Sequence, residues 1–293
     1  MTLTVFILVF FAAGIHVFWN AFVKASRDKV SFIWLACVVA SAVLVPAFVV
    51  SRLVQPGALS IELVGWAALS GLLEAAYIVA LVVAYDRADL SVVYPLSRGV
   101  APLVTLALGG ILLGDVVTLR HGAAVLVVVA GVGGVSWSAW ASAPHRRTLA
   151  GVGLALVAGC LIAGYHLIDR RAMTLPARPS ALEYLFLMHL FLALFVSVWM
   201  AASARRRATA MSEWRTNKCR VLIVGICMSF AYYLIMVALR HGNVTHIAAS
   251  RNVGIVISTL AGGLLLREPV TWKRAAGAVL IAAGVAGLVL LRA

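Results

Sequence analysis

An all-α integral membrane protein, with ten transmembrane helices in two inverted five-helix repeats, is the fold this 293-residue sequence predicts. Three observations predict it. Hydrophobic residues make up 63% of the chain and charged residues 12%, against roughly 45–50% and about 25% in soluble domains. The apolar residues gather in runs of roughly 20, long enough for a helix to cross a bilayer. Residues 94–118, YPLSRGVAPLVTLALGGILLGDVVT, are nearly restated at 247–271, IAASRNVGIVISTLAGGLLLREPVT. An offset of 153 aligns Ser97-Arg98 with Ser250-Arg251, Gly109-Gly110 with Gly262-Gly263, and Asp115 with Glu268; 14 of 38 positions from Ser97 to Gly134 are identical. Weak internal similarity in a hydrophobic chain points to a duplicated body.

In chain order, the first-half runs are about 3–23, 30–51, 61–85, 91–113 and 120–139. The second-half runs are about 149–168, 181–203, 220–239, 246–266 and 273–291. The first run follows no basic segment, lacks a clear cleavage site and exceeds a signal-peptide core, so it reads as a retained helix. In the fourth, Pro95 and Pro102 flank Arg98 and predict a kinked or unwound start; the ninth lacks both. The fifth carries Gly131, Gly133 and Gly134, and the tenth Gly284, Ala286 and Gly287 at the matching places. Such small residues let helix backbones approach closely. Residues 140–148 link the halves, and the longest polar stretch, 204–220, reads as a loop. Irregular backbone cannot face lipid, so helices with short connections are expected throughout. The predicted repeats are 1–140 and 149–293. Five spans in each force the second to enter the membrane upside down relative to the first.

The formal net charge is +14. In a soluble protein it would suggest nucleic acid, but nearly all the Lys and Arg lie in short loops, where they meet lipid headgroups. No nucleic-acid partner is expected; the bilayer and a small molecule are. With Arg98 and Arg251 set aside, the face carrying both termini holds seven cations, including Arg52, Arg120, Arg170 and Arg240, and the opposite face 15, including Arg205–Arg207. By the positive-inside rule alone the termini lie outside. Cys37, Cys160, Cys219 and Cys227 form no CxxC pair and read as packing residues. The seven histidines form no His-x-x-x-His pair, so neither a metal site nor a cofactor is expected.

Ten helices, two five-helix repeats and the ending GG-x-L-L-x-[DE]-x-V-T on helices four and nine resemble the EamA-type branch of the drug/metabolite transporter superfamily. Glu268-Pro269 fits the usual ending of that family, and Asp115 is a conservative departure from it. The resemblance implies a secondary carrier of small metabolites in a bacterial inner membrane, with a central cavity walled by helices 1, 3, 4, 6, 8 and 9. It also implies cytoplasmic termini, the reverse of the charge count.

Polar groups at membrane depth are costly, so each needs a reason. Arg98 and Arg251 lie about two turns into helices four and nine. A guanidinium there can bind an anionic group through its planar donors; it can equally snorkel to the interface or pair with an acid such as Asp86 or Asp89. Glu74 is the one acid near the middle of a run, a candidate for proton coupling, for counter-ion to Arg98, or for a neutral hydrogen-bonded carboxyl. His16, Trp19 and Asn20 share a face of helix one with Lys24, and helix six offers Tyr165, His166, Asp169 and Arg170. Lys24, Asp169 and Arg170 sit near helix ends and read as interfacial anchors. The others either line a cavity or bond between helices. Tyr77, Tyr94, Tyr232 and Tyr233 are further lining candidates. Trp66, Trp137 and Trp140 read as interface aromatics, and His189 as a packing histidine.

Two deep arginines against one deep acid favour a secondary transporter of a small anionic or zwitterionic metabolite, working by alternating access as a monomer or homodimer. An exporter of cationic or lipophilic drugs is the alternative, since Glu74 supplies a carboxylate. An integral-membrane enzyme on lipids would need an acid cluster or a nucleophile beside a base, and neither is present. A non-transporting subunit would need neither deep charge nor repeat.

Overall fold

The computed structural model describes residues 1–54, 59–85, 87, 90–141, 145–176, 179–264 and 270–290. Among these, helices account for all regular structure: α1 (Leu3–Ala25), α2 (Lys29–Val54), α3 (Ile61–Tyr85), α4 (Leu90–Leu113), α5 (Leu119–Ala141), α6 (His145–Met173), α7 (Ala181–Ala201), α8 (Ala204–His241), α9 (Val244–Ser250), α10 (Val253–Leu264) and α11 (Trp272–Leu290). Eight described helices are long and apolar enough to span a membrane, and Leu119–Val135 is a shorter apolar helix. The ninth predicted run is the pair α9–α10, which completes ten.

Three expectations change. The polar stretch 204–220 is helix, not loop. Ala210, Glu213, Asn217 and Val221 recur every three or four residues and are buried, while Arg205, Arg207, Arg215 and Lys218 face out. That is the pattern of an amphipathic helix. Asn217 leaves helical geometry (φ −124°, ψ 19°) where this segment turns into the span. The link 140–148 is likewise mostly the ends of α5 and α6. Finally, α4 runs unbroken past Pro95 and Pro102, each of which removes only one donor. The break lies in the other half. At Arg251-Asn252 the backbone tightens to three-residue bonds, Gly254 N–H to Arg251 O (3.2 Å) and Ile255 N–H to Asn252 O (2.9 Å).

Packing between the halves is reciprocal, as a pseudo-twofold axis requires. Helix α1 lies against α8 as α6 lies against α3; α2 meets α8 as α7 meets α3. Across the axis α5 packs on α11 and α2 on α7. The α5–α11 seam is backbone on backbone. A Cβ on Gly277 would fall 2.5 Å from Val135 N and 2.6 Å from Gly131 O, and one on Gly284 2.7 Å from Ala124 O. Gly131 and Gly284 therefore do what their spacing predicts, whereas a Cβ on Gly133 would meet nothing.

Asp115, the acid that closes helix four, has a structural task. Its Oδ1 pairs with Arg170 at 3.4 Å and its Oδ2 accepts the Val244 N–H at 2.9 Å, anchoring the start of α9. Asn243 caps the same end through Thr245 N–H (2.9 Å). Arg170 also donates to the Leu239 carbonyl, so it is a tie between helices rather than a headgroup anchor. The matching acid, Glu268, with Pro269, lies outside the described residues, as do Asp86, Asp89 and the side chains of Lys24 and Trp140.

At the opposite face Asp28 caps α2, accepting from Val30 N–H (3.1 Å) and the Ser31 hydroxyl (2.8 Å). Burial pushes its carboxyl up, but hydrogen bonds from Ser31, Thr209 and Val30 outweigh this and hold it below the ordinary 3.8. A carboxylate depressed in the fold stabilises it above that ordinary value, and the contribution fades as pH falls through the folded value. Asp28→Ala is expected to cost about 1 kcal/mol, the usual worth of a helix cap. A thermal melt at neutral pH checks the loss, and the gap from wild type should shrink in acid.

Candidate functional site

Each half brings an arginine onto a histidine. In the first, α1 supplies His16 and α4 supplies Arg98, with Arg98 Nη2 2.7 Å from His16 Nε2. In the second, α6 supplies His166 and the α9–α10 junction supplies Arg251, whose Nη1 bonds His166 Nε2. The arginines are related by the 153-residue offset and the histidines by 150. Since the halves are inverted, the pairs sit at different depths. Helix order places Arg98–His16 toward the face opposite the termini, and Arg251–His166 toward the face that carries them.

An arginine only donates, so each Nε2 must accept, which requires a neutral ring protonated on Nδ1. Among the described residues neither guanidinium meets a carboxylate. Among the described residues the ion pairs are Arg52–Glu183 and Arg170–Asp115. Arg98 is 9% exposed, so it does not snorkel, and its Nε is buried without a partner. Each arginine also faces an aromatic ring: Arg98 lies 5.5 Å from the Tyr94 centroid and Arg251 5.8 Å from that of Tyr232, within cation–π range.

Aromatics lie beside both pairs. Tyr165 stands 6.1 Å from Tyr77 and 6.3 Å from Tyr232, and 4.6 Å from His166, centroid to centroid. Trp19 meets His16 edge-on at 4.5 Å, with its indole N–H buried and unpartnered. Asn20 donates to the His16 carbonyl at 2.6 Å, a bond within its own helix. Glu74 is half-buried; its Oε2 has no partner, and it lies within electrostatic range of Asp169, Arg251 and Arg98. His189 is buried and bonds the Leu185 carbonyl of its own helix at 3.1 Å, a packing role. Tyr233 packs half-buried at the margin of the main core.

Asp169 is the residue that the sequence reading misplaced. It is no interfacial anchor: it is fully buried. Its Oδ1 accepts the hydroxyls of Ser70 (2.6 Å) and Tyr184 (2.7 Å), and its Oδ2 that of Tyr232. Three helices thus converge on one carboxylate of α6. Its sequence position, near the end of the apolar run, suggested exposure. The signal that could have found it is its place one turn beyond His166, on the same face of α6. Ser70 and Tyr184 were missed with it.

A fold of apolar spans, built from two interlocked five-helix halves with polar groups buried between them, defines an integral membrane protein. Residues 149–290 match the EamA-like transporter family, so the second half of the chain carries a unit similar to that family. Members of that family are transporters rather than enzymes. The crystal structure of another protein matches with a TM-score of 0.74 at 19% identity, covering 98% of this chain and 99% of its own. At that identity it shows the fold alone, and it extends that fold across the first half. No curated protein sequence matches.

Proposed function

We propose that this protein is a secondary transporter of a small anionic or zwitterionic metabolite, of the amino acid or organic acid type, working by alternating access in a bacterial inner membrane. One observation carries the reading: among the described residues the two guanidiniums hold no acid, and each rests against a neutral imidazole and a tyrosine ring. A carboxylate is a stronger acceptor than an imidazole and can take two guanidinium donors at once. It would therefore displace His16 or His166 on arrival. The pairs lie at two depths, so a substrate engages one arginine from each side as the halves rock. His16, Trp19, Tyr77, Tyr94, Tyr165, His166 and Tyr232 supply the wall, and Asn20 lies one turn from His16 on α1 with its amide on the His16 carbonyl. Glu74 is the interior carboxyl that the sequence offers for proton exchange.

The cation-exporter reading draws on one observation, the partnerless Oε2 of Glu74. A thermal-stability screen of the purified protein separates the two. Succinate, glutamate and alanine are expected to raise the melting temperature, and tetraphenylphosphonium to leave it unmoved. The reverse result would replace the anion reading with the exporter. Uptake of the stabilising acid into proteoliposomes then tests transport itself.

A further inference from the structure

We infer that Asp169 is a proton-binding site linked through Tyr232 to Arg251, so that the coupling proton sits beside the second-half arginine rather than on Glu74. The inference deepens the transport reading and rests on it for its coupling role. Its geometry is independent of the substrate.

Among the described residues the carboxylate faces no paired cation. The charged and titratable groups around it are Glu74 from α3, Tyr184 from α7, Tyr232 from α8, His166 on its own helix, and Arg251 from the α9–α10 junction. Arg251 acts on it through space, without an ion pair, and the next residue, Arg170, is engaged by Asp115. A buried carboxylate without a paired cation is costly in a membrane, and such groups mark ion and proton pathways. What it can take up is narrowly set. Both oxygens already accept hydroxyl protons, from Ser70 and Tyr184 on one side and Tyr232 on the other. A metal ion would meet those protons and would need further oxygens. A proton needs neither volume nor ligands.

Binding a proton at Oδ2 turns that oxygen from acceptor to donor. The Tyr232 hydroxyl must then reverse and accept. Tyr232 is also the ring that faces the Arg251 guanidinium. Asp169 lies one turn from His166, the current partner of Arg251. One proton therefore changes the charge and the hydrogen bonding next to the second-half anion site. The first half has nothing equivalent: the offset that pairs the histidines puts Trp19 opposite Asp169. An asymmetric proton site would bias one of the two orientations only.

Infrared pH titration of the purified protein, without substrate, tests the site. The C=O band of a protonated interior carboxyl should rise and fall between about pH 4 and pH 9, the range open to buried acids. It should vanish in Asp169→Asn, persist in Glu74→Gln, and shift its midpoint in Arg251→Ala. Should Asp169→Asn fail to fold, Tyr184→Phe removes one donor without touching an arginine and should move the same midpoint by about one unit. A band lost in Glu74→Gln alone, or a midpoint indifferent to both Tyr184 and Arg251, overturns the assignment. In proteoliposomes, succinate or alanine accumulation driven by a pH gradient should be lost in Asp169→Asn, while exchange of label for unlabelled acid persists. Accumulation retained in that variant overturns the coupling role. Absence of any acid transport by the wild type fails the parent reading and leaves the infrared result standing on its own.

Discussion

Arg98→Ala/Arg251→Ala is expected to abolish uptake of the acid that stabilises the wild type, and to erase that stabilisation. Each guanidinium is one charge-assisted contact worth about 1.5–3 kcal/mol. A single variant should therefore weaken apparent affinity by about tenfold to a hundredfold. The singles should differ in sidedness, because Arg98 lies toward one face and Arg251 toward the other. Arginine to lysine keeps the charge and loses the planar fork, so it should recover only part of the affinity. His16→Ala and His166→Ala remove competing acceptors and should not mimic the arginine losses. Full transport by the double variant would end the anion argument.

Gly277→Leu is expected to pry α11 from α5. A Cβ at that position already meets backbone atoms of α5 at 2.5 and 2.6 Å, and neither atom belongs to a side chain that could swing away. Overpacking of a close seam costs about 1–3 kcal/mol or more, and here the seam is the α5–α11 contact between the halves. The melting temperature in detergent should fall sharply, and transport should be lost even where protein remains. Gly133→Leu is the matched control, since a Cβ there meets no atom within 4 Å. If the two variants melt alike, the close backbone approach of α5 and α11 contributes nothing to stability.

How much of the site was legible depends on which property each residue was read by. Arg98 and Arg251 stood out because a charge inside an apolar run is rare and because the same dipeptide recurs. Their partners were legible only as members of a polar stripe. Nothing in sequence joins His16 to Arg98, 82 residues away, or His166 to Arg251, 85 away; helix packing does. Asp169 was misread because depth was judged from distance to the end of an apolar run. Helix α6 extends to Met173, and α3, α7 and α8 close around its last turns. The amphipathic start of α8 was missed for a similar reason: its arginines dominated the composition, while its buried face is only Ala210, Glu213 and Asn217.

The sequence by itself determined the class, the ten spans, the duplication and its inversion. Each follows from local or additive properties: the length of apolar runs, an odd number of spans per half, a repeated motif. The tertiary structure alone decided the rest. It placed each arginine on a histidine, put the helix break at Arg251-Asn252 rather than beside the prolines, and buried Asp169 under three hydroxyls. Those outcomes depend on which faces of distant helices meet, and a bilayer rewards any apolar surface equally, so only the packing of one helix on another can choose among them.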